Sequence, residues 1–179
     1  MNSETNIQRN IRINQLKCLI PDIFFVVFGV VLDQLTKYLA VIHLKDQNSF
    51  IILDGVFELR YLENRGAAFG MLQNQQLFFM ISIVVITVVI LMFYSRVPLE
   101  RKFNFLRFCA ACILAGGFGN CIDRLRQSYV VDFFYFKLID FPIFNVADIY
   151  VTVATAFLIV LLLFYYKEED LERILHSRK

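Results

Sequence analysis

Two aspartates stand at either end of one short connection in an otherwise strongly apolar chain. The first ends the run Gly116-Gly117-Phe118-Gly119-Asn120-Cys121-Ile122-Asp123-Arg124, and the second ends Phe144-Asn145-Val146-Ala147-Asp148. Two carboxyls that share a site cannot both ionise cheaply. A pair holding one proton can use one member as a base toward water and the other as an acid toward a peptide carbonyl, which is the chemistry of amide hydrolysis. Their settings differ too: the backbone dipole favours negative charge near a helix N-terminus, where Asp148 is expected, and disfavours it near a C-terminus, where Asp123 is expected. Each aspartate also has a plain structural reading. Asn145 and Asp148 could simply cap a helix, and Asp123 could pair with Arg124 at a glycine-rich helix contact. Neither reading accounts for both carboxylates, so Asp123 and Asp148 are the expected catalytic pair.

Other chemistries find less support in the residues. His43 and His176 are expected toward opposite ends of the bundle, so neither a zinc site nor a Ser-His-Asp triad can be assembled from them. Cys109 and Cys112 have Cys-x-x-Cys spacing inside an apolar run, where small core residues are the simpler account. Cys121 has no histidine to activate it, and Ser128 has no motif around it that would pair it with Lys37.

The elements that must position the aspartates are membrane helices. Apolar residues make up 58% of the 179, and the net charge is only +2 with no long basic run, which argues against a nucleic-acid partner. Four stretches approach the ~20 residues that a helix needs to cross the hydrocarbon core: about 19–43, 77–95, 103–123 and 147–166. Backbone polar groups in lipid are most simply satisfied by helices. The expected fold is therefore all-α, a single domain over 1–179 built as a four-transmembrane-helix bundle, with outer loops over about 44–76 and 124–146. The basic residues before the first apolar run resemble a secretory signal, but the run continues through Asp33 and Lys37 without a small-x-small cleavage site, so it is expected to stay as the first helix.

The first outer loop is too long for a turn. Phe50 to Leu53 and Phe57 to Tyr61 flank Asp54-Gly55-Val56, a turn signal between two strand-like runs. A small β-rich outer subdomain follows, and Val130 to Phe136 in the second loop also suits a strand. After the hairpin, Asn64-Arg65-Gly66-Ala67-Ala68-Phe69-Gly70 is either a re-entry loop or a place where small residues let a ligand's backbone approach. In the first span, Asp33 and Lys37 share a helix face. They are either a self-neutralising pair or an ionic element facing the polar end of the bundle.

Lys and Arg orient the bundle. Eleven lie in or near the two tails and the 96–102 turn, against six in the two longer outer loops. That bias places both termini in the cytoplasm and both aspartates toward the outer face.

Taken together and in order, five blocks resemble the signature segments of lipoprotein signal peptidase, the type II signal peptidase of bacteria. They are Asp33-Gln34-Leu35-Thr36-Lys37, Asn64-Arg65-Gly66-Ala67-Ala68-Phe69, Gly116 to Arg124, Val130-Val131-Asp132-Phe133 and Phe144 to Asp148, within about residues 20 to 166. The resemblance implies an aspartyl endopeptidase of the bacterial plasma (inner) membrane. It would remove signal peptides from prolipoproteins on the N-terminal side of a diacylglyceryl-modified Cys, acting at the membrane lipid as a monomer with no metal or other cofactor. It assigns Asp123 and Asp148 as the catalytic pair and Asp33, Lys37, Asn64, Gly66, Asn120, Arg124 and Asn145 as supporting residues. The alternatives are a proton-coupled transporter, for which repeated halves are missing, a presenilin-like protease, whose Gly-x-Gly-Asp is here Gly117-Phe118-Gly119-Asn120, and a non-catalytic assembly protein.

Overall fold

A computed structural model of the chain describes residues 2–66 and 71–175, with side chains from Leu19 onward. Its framework is four apolar helices: α1 (Asn2–Leu44), α2 (Gln76–Arg96), α3 (Asn104–Gln127) and α4 (Val146–Val160). The parts long and apolar enough to cross a membrane are Leu19–Leu44, Gln76–Arg96, Arg101–Gln127 and Val146–Tyr165. A π turn, Leu161–Tyr165, ends α4, and a short helix α5 (Glu168–Leu175) follows.

Small residues make α3 the central helix. Just over half of its apolar window is buried, 56% against 6–17% for the other three, which leave most of their surface for lipid. The buried positions of α3 include Cys109, Ala110, Ala111, Cys112, Ala115, Gly116 and Gly119, a run that lets neighbouring helices approach closely. Gly116 and Gly119 have no room for a side chain. A Cβ on Gly116 would run into the Ala147 carbonyl, and one on Gly119 would sit 2.5 Å from Asp33 Oδ2. Cys109 and Cys112 are buried free thiols in this packing.

The charge inside the third span also has a partner. Arg107 Nη2 and Nε donate to Asp22 Oδ2 on α1 at 2.7 and 3.1 Å, and the Tyr94 hydroxyl donates to the Arg107 carbonyl. A pair of this kind offsets a charge that would be expensive alone at that depth.

The loops after α1 and after α3 form one three-stranded antiparallel sheet in the order β1 (Phe50–Leu53), β2 (Phe57–Asn64), β3 (Val130–Phe136). The turn between β1 and β2 places Gly55 at φ +69°, a conformation that glycine adopts at no steric cost. Val131 and Phe133 of β3 pack on Ala40 and Leu44 at the end of α1, which seats the sheet on the bundle. All four residues of β1 are apolar and exposed, an edge suited to the lipid interface rather than to water.

Candidate active site

Helix α1 delivers Asp33, Gln34 and Lys37 to the end of the bundle nearest the sheet. Asp33 is fully buried; its Oδ1 accepts from the Ala147 backbone N–H at 3.0 Å and its Oδ2 meets Lys37 Nζ at 2.9 Å. The same ammonium lies 3.0 Å from Asp123 Oδ2 and donates to Asn120 Oδ1 at 2.8 Å. Asp33 and Lys37 are thus paired with each other, and Lys37 reaches onward to α3. A buried charge of either sign needs such partners.

Asp123, in the last turn of α3, has both oxygens engaged. Oδ1 accepts from Gln34 Nε2 at 2.8 Å, and Oδ2 takes the Lys37 ammonium and the Val131 backbone N–H at 3.2 Å. It is a counter-ion and a tether that fixes α1, α3 and β3 together.

The start of α4 is a capping box. Asn145 Oδ1 accepts from the Asp148 backbone N–H at 3.0 Å, and Asp148 Oδ2 accepts from the Asn145 backbone N–H at 3.1 Å, satisfying two donors of the helix start reciprocally. Asp148 Oδ1 accepts from Asn120 Nδ2 at 2.8 Å. The Asn145 amide is free for other work: Nδ2 donates to Asp132 Oδ1 at 2.6 Å and to Asn120 Oδ1 at 3.1 Å. Asn145 therefore holds two carboxyls at once, Asp148 through its backbone and Asp132 through its side chain.

Asp132, on β3, is 1% exposed, and its second oxygen accepts from Asn64 Nδ2 at 2.8 Å. Asn64 Oδ1 in turn accepts from the Gly66 backbone N–H, and the Gly66 carbonyl accepts from Arg124 Nη2 at 3.1 Å. The partners of Asp132 are amides and not cations. Burial first and the neighbouring Asp148 charge second push its carboxyl up to about 7.

These groups border a cleft of about 540 Å³ between α2 and α4, over α3. Asn64, Gly66, Asn120, Arg124, Asp132 and Asp148 line its polar end. The Arg124 guanidinium lies 4.1 Å from the Phe79 ring centre, and its Nε is buried without a hydrogen-bond partner. The cleft departs from the sequence expectation at one position. Asp123 and Asp148 were expected to share the site, whereas the carboxyl that lines the cleft with Asp148 is Asp132, and Asp123 is not among the lining residues. The physical reason is in the ladder: β3 returns along the C-terminal end of α1 and places Asp132 beside Asn145, while Asp123 is held by Lys37 and Gln34.

Every expected supporting residue belongs to this one network, Asp33 and Lys37 behind the cleft and Asn64, Gly66, Asn120, Arg124 and Asn145 at or beside it. The small-residue run continues through Ala67, Ala68, Phe69 and Gly70, which lie outside the described residues. Two members had been assigned no role, Gln34 and Asp132. A carboxyl in the middle of the apolar run Val130-Val131-Asp132-Phe133 is the signal that identifies the second, since such a group is buried only with partners.

Comparison with known proteins agrees with this framework. The family model for Signal peptidase (SPase) II matches residues 25–164. The chain is 46% identical over 143 residues to the lipoprotein signal peptidase of Caldanaerobacter subterraneus subsp. tengcongensis, covering 79% of this chain and 95% of that protein. It is 39% identical over 154 residues to the lipoprotein signal peptidase of Clostridium tetani, covering 84% and 96%. A solved bacterial membrane enzyme matches the fold with a TM-score of 0.72 at 32% identity, over 83% of this chain and 92% of that one. From the second half of α1 to the end of α4, and through every polar group of the cleft, the chain belongs to the signal peptidase II family.

Proposed function

We propose that this chain is an aspartyl endopeptidase that removes signal peptides from prolipoproteins just before a diacylglyceryl-modified Cys, with Asp132 and Asp148 as the catalytic pair. Family membership supports signal-peptide hydrolysis of prolipoproteins. The observation that carries the residue assignment is the buried Asn145, which bridges Asp132 and Asp148 behind the cleft that both carboxyls line.

In this mechanism the buried Asp132 holds the shared proton and the half-exposed Asp148 is the base. Asp148 takes a proton from water as its oxygen adds to the scissile carbonyl carbon, and the Asp132 proton passes to the carbonyl oxygen. The gem-diol then collapses: its hydroxyl proton returns to Asp132, the C–N bond breaks, and Asp148 gives its proton to the departing amine of the Cys. Asn120 and Asn145 orient the carboxyls, Asp33, Lys37 and Asp123 hold Asn120 from behind, and Arg124 holds the Gly66 carbonyl beside the cleft. Incubating the purified protein with a lipidated precursor should yield, by mass analysis, a product whose first residue is the lipidated Cys. Cleavage elsewhere or no cleavage contradicts the assignment. Run against pH, the same assay should lose rate as pH rises through about 7, because the proton that Asp132 holds is then lost.

The charge bias supports a plasma-membrane protein with both termini in the cytoplasm and the cleft toward the outer face. Reporter fusions near Pro98 and at the two termini should read cytoplasmic, and fusions near Asp54 and Lys137 should read external. An external signal at Pro98 would invert the topology and with it the side on which substrate is met.

A further inference from the structure

The cleft does not end below the polar groups. On α2 its wall runs through Phe79, Ile83 and Ile86 and continues through Ile90 and Phe93, positions three or four apart and so on one face. On α3 the floor runs from Asn120 and Gly117 through Ile113 and Ala110 to Leu106 in the same way. The lower part is a second, almost wholly apolar hollow of about 370 Å³, bounded on the α4 side by Leu158 and Leu162. The two hollows are separate but lie in line along the same faces of α2 and α3 and beside α4. The far end of the lower one is closed by Leu171, Ile174 and Leu175 of α5, which lies beyond the residues matched by the family model.

Helix α5 is fastened across that end. Asp170 Oδ2 accepts from Lys102 Nζ at 2.5 Å and from the Lys167 backbone N–H at 3.0 Å, Arg173 pairs with Glu100, and the Tyr166 hydroxyl donates to the Lys102 carbonyl at 2.7 Å. Ile174 is buried against the same core that holds Phe103 and Leu106. Glu168, Glu169 and Glu172 of α5 are exposed.

We propose that α5 is the end-stop of the substrate groove and sets the length of apolar signal segment that this chain accepts. The proposal rests on the peptidase reading given above. The occupant is the apolar segment of the signal peptide, because the lower hollow lies in line with the cleft along the same faces of α2 and α3, and because a signal peptide carries a positive region before its apolar one, the complement of the exposed glutamates on α5. From Asp148 to Leu162 a helix rises about 21 Å, the length of roughly 14 helical residues. A longer segment would press against α5 or force the charged region of the signal peptide out of register with the membrane surface, which is costly.

The test uses the full-length chain in detergent and lipidated precursors whose Leu/Ala apolar segments are about 10, 14 and 21 residues long. For the unmodified chain, KM for the longest precursor should exceed that for the middle one about tenfold with kcat little changed, the mark of a lost binding fit. Ile174→Ala, which trims the stop in place, and Asp170→Asn, which loosens its clasp, should each bring that ratio to about threefold or less. Equal KM for all three lengths in the unmodified chain overturns the end-stop and leaves the peptidase reading standing. A ratio unchanged in both variants overturns it as well. Failure to cleave any lipidated precursor overturns both the end-stop and the peptidase reading.

Discussion

Asp148→Asn is expected to lower the turnover of a lipidated precursor about 10³-fold or more while the protein remains folded and inserted. The amide is nearly isosteric with the carboxylate, and its carbonyl oxygen can still accept from Asn120 or from the Asn145 backbone, so the start of α4 keeps most of its cap; the loss in stability is about 1 kcal/mol. What is lost is the base. The other carboxyl that lines the cleft, Asp132, does not replace it, because Asp132 enters the reaction holding the shared proton. The effect should therefore fall on kcat, with KM changed only a few-fold, because the substrate groove is untouched. Single-turnover rates and thermal unfolding of the purified variant in detergent are the two measurements. A well-folded variant within tenfold of the unmodified rate would remove Asp148 from the chemistry.

A precursor lacking its diacylglyceryl group should show kcat/KM lower by about 10²-fold or more at equal concentration, since each buried CH₂ of an acyl chain contributes about 0.8 kcal/mol to membrane affinity and holding a reactant at fixed depth removes much of the entropy of encounter. The polar end of the cleft sits at the end of the bundle nearest the sheet, where Asp148 occupies the first turn of α4 and Asp132 the start of β3. Acyl chains can remain in the hydrocarbon layer while the bond one residue before the lipidated Cys is level with both carboxyls. The apolar edge strand Phe50–Leu53 provides a lipid-facing border on the same side of the molecule. Equal rates for the lipidated and unlipidated precursors would show that depth is not what positions the bond.

The helical framework was legible from composition and length alone, because long uncharged runs have one economical structure in lipid. The hairpin Phe50 to Asn64 was legible from its glycine turn. Charged residues inside spans were legible as members of a polar site, since such groups need partners, and Asp33, Lys37 and Asn120 are joined by contacts of 2.8–2.9 Å. The register of the second outer loop was not legible. Whether Asp123 or Asp132 meets Asp148 depends on how β3 pairs with β2, Asn64 opposite Val130 and Leu62 opposite Asp132, and on its seat against α1, which are long-range facts that local pattern does not carry. Arg107 posed the same difficulty: its partner Asp22 is 85 residues away in the chain. The sequence also left the C-terminal segment without a purpose, because the groove it closes is built from three other helices.

The most direct test of the central claim compares Asp132→Asn with Asp123→Asn on one lipidated precursor, with rates normalised to folded protein. The catalytic pair assigned to Asp132 and Asp148 predicts that Asp132→Asn is folded and at least about 10³-fold slower. Asp123→Asn should instead lose about 3 kcal/mol of stability, as Lys37 loses one of its two buried counter-ions and keeps Asp33, while its folded fraction keeps turnover within about tenfold of the unmodified chain. The opposite ranking, an active Asp132→Asn beside a stable but inactive Asp123→Asn, would contradict the assignment and return the acid–base role to Asp123.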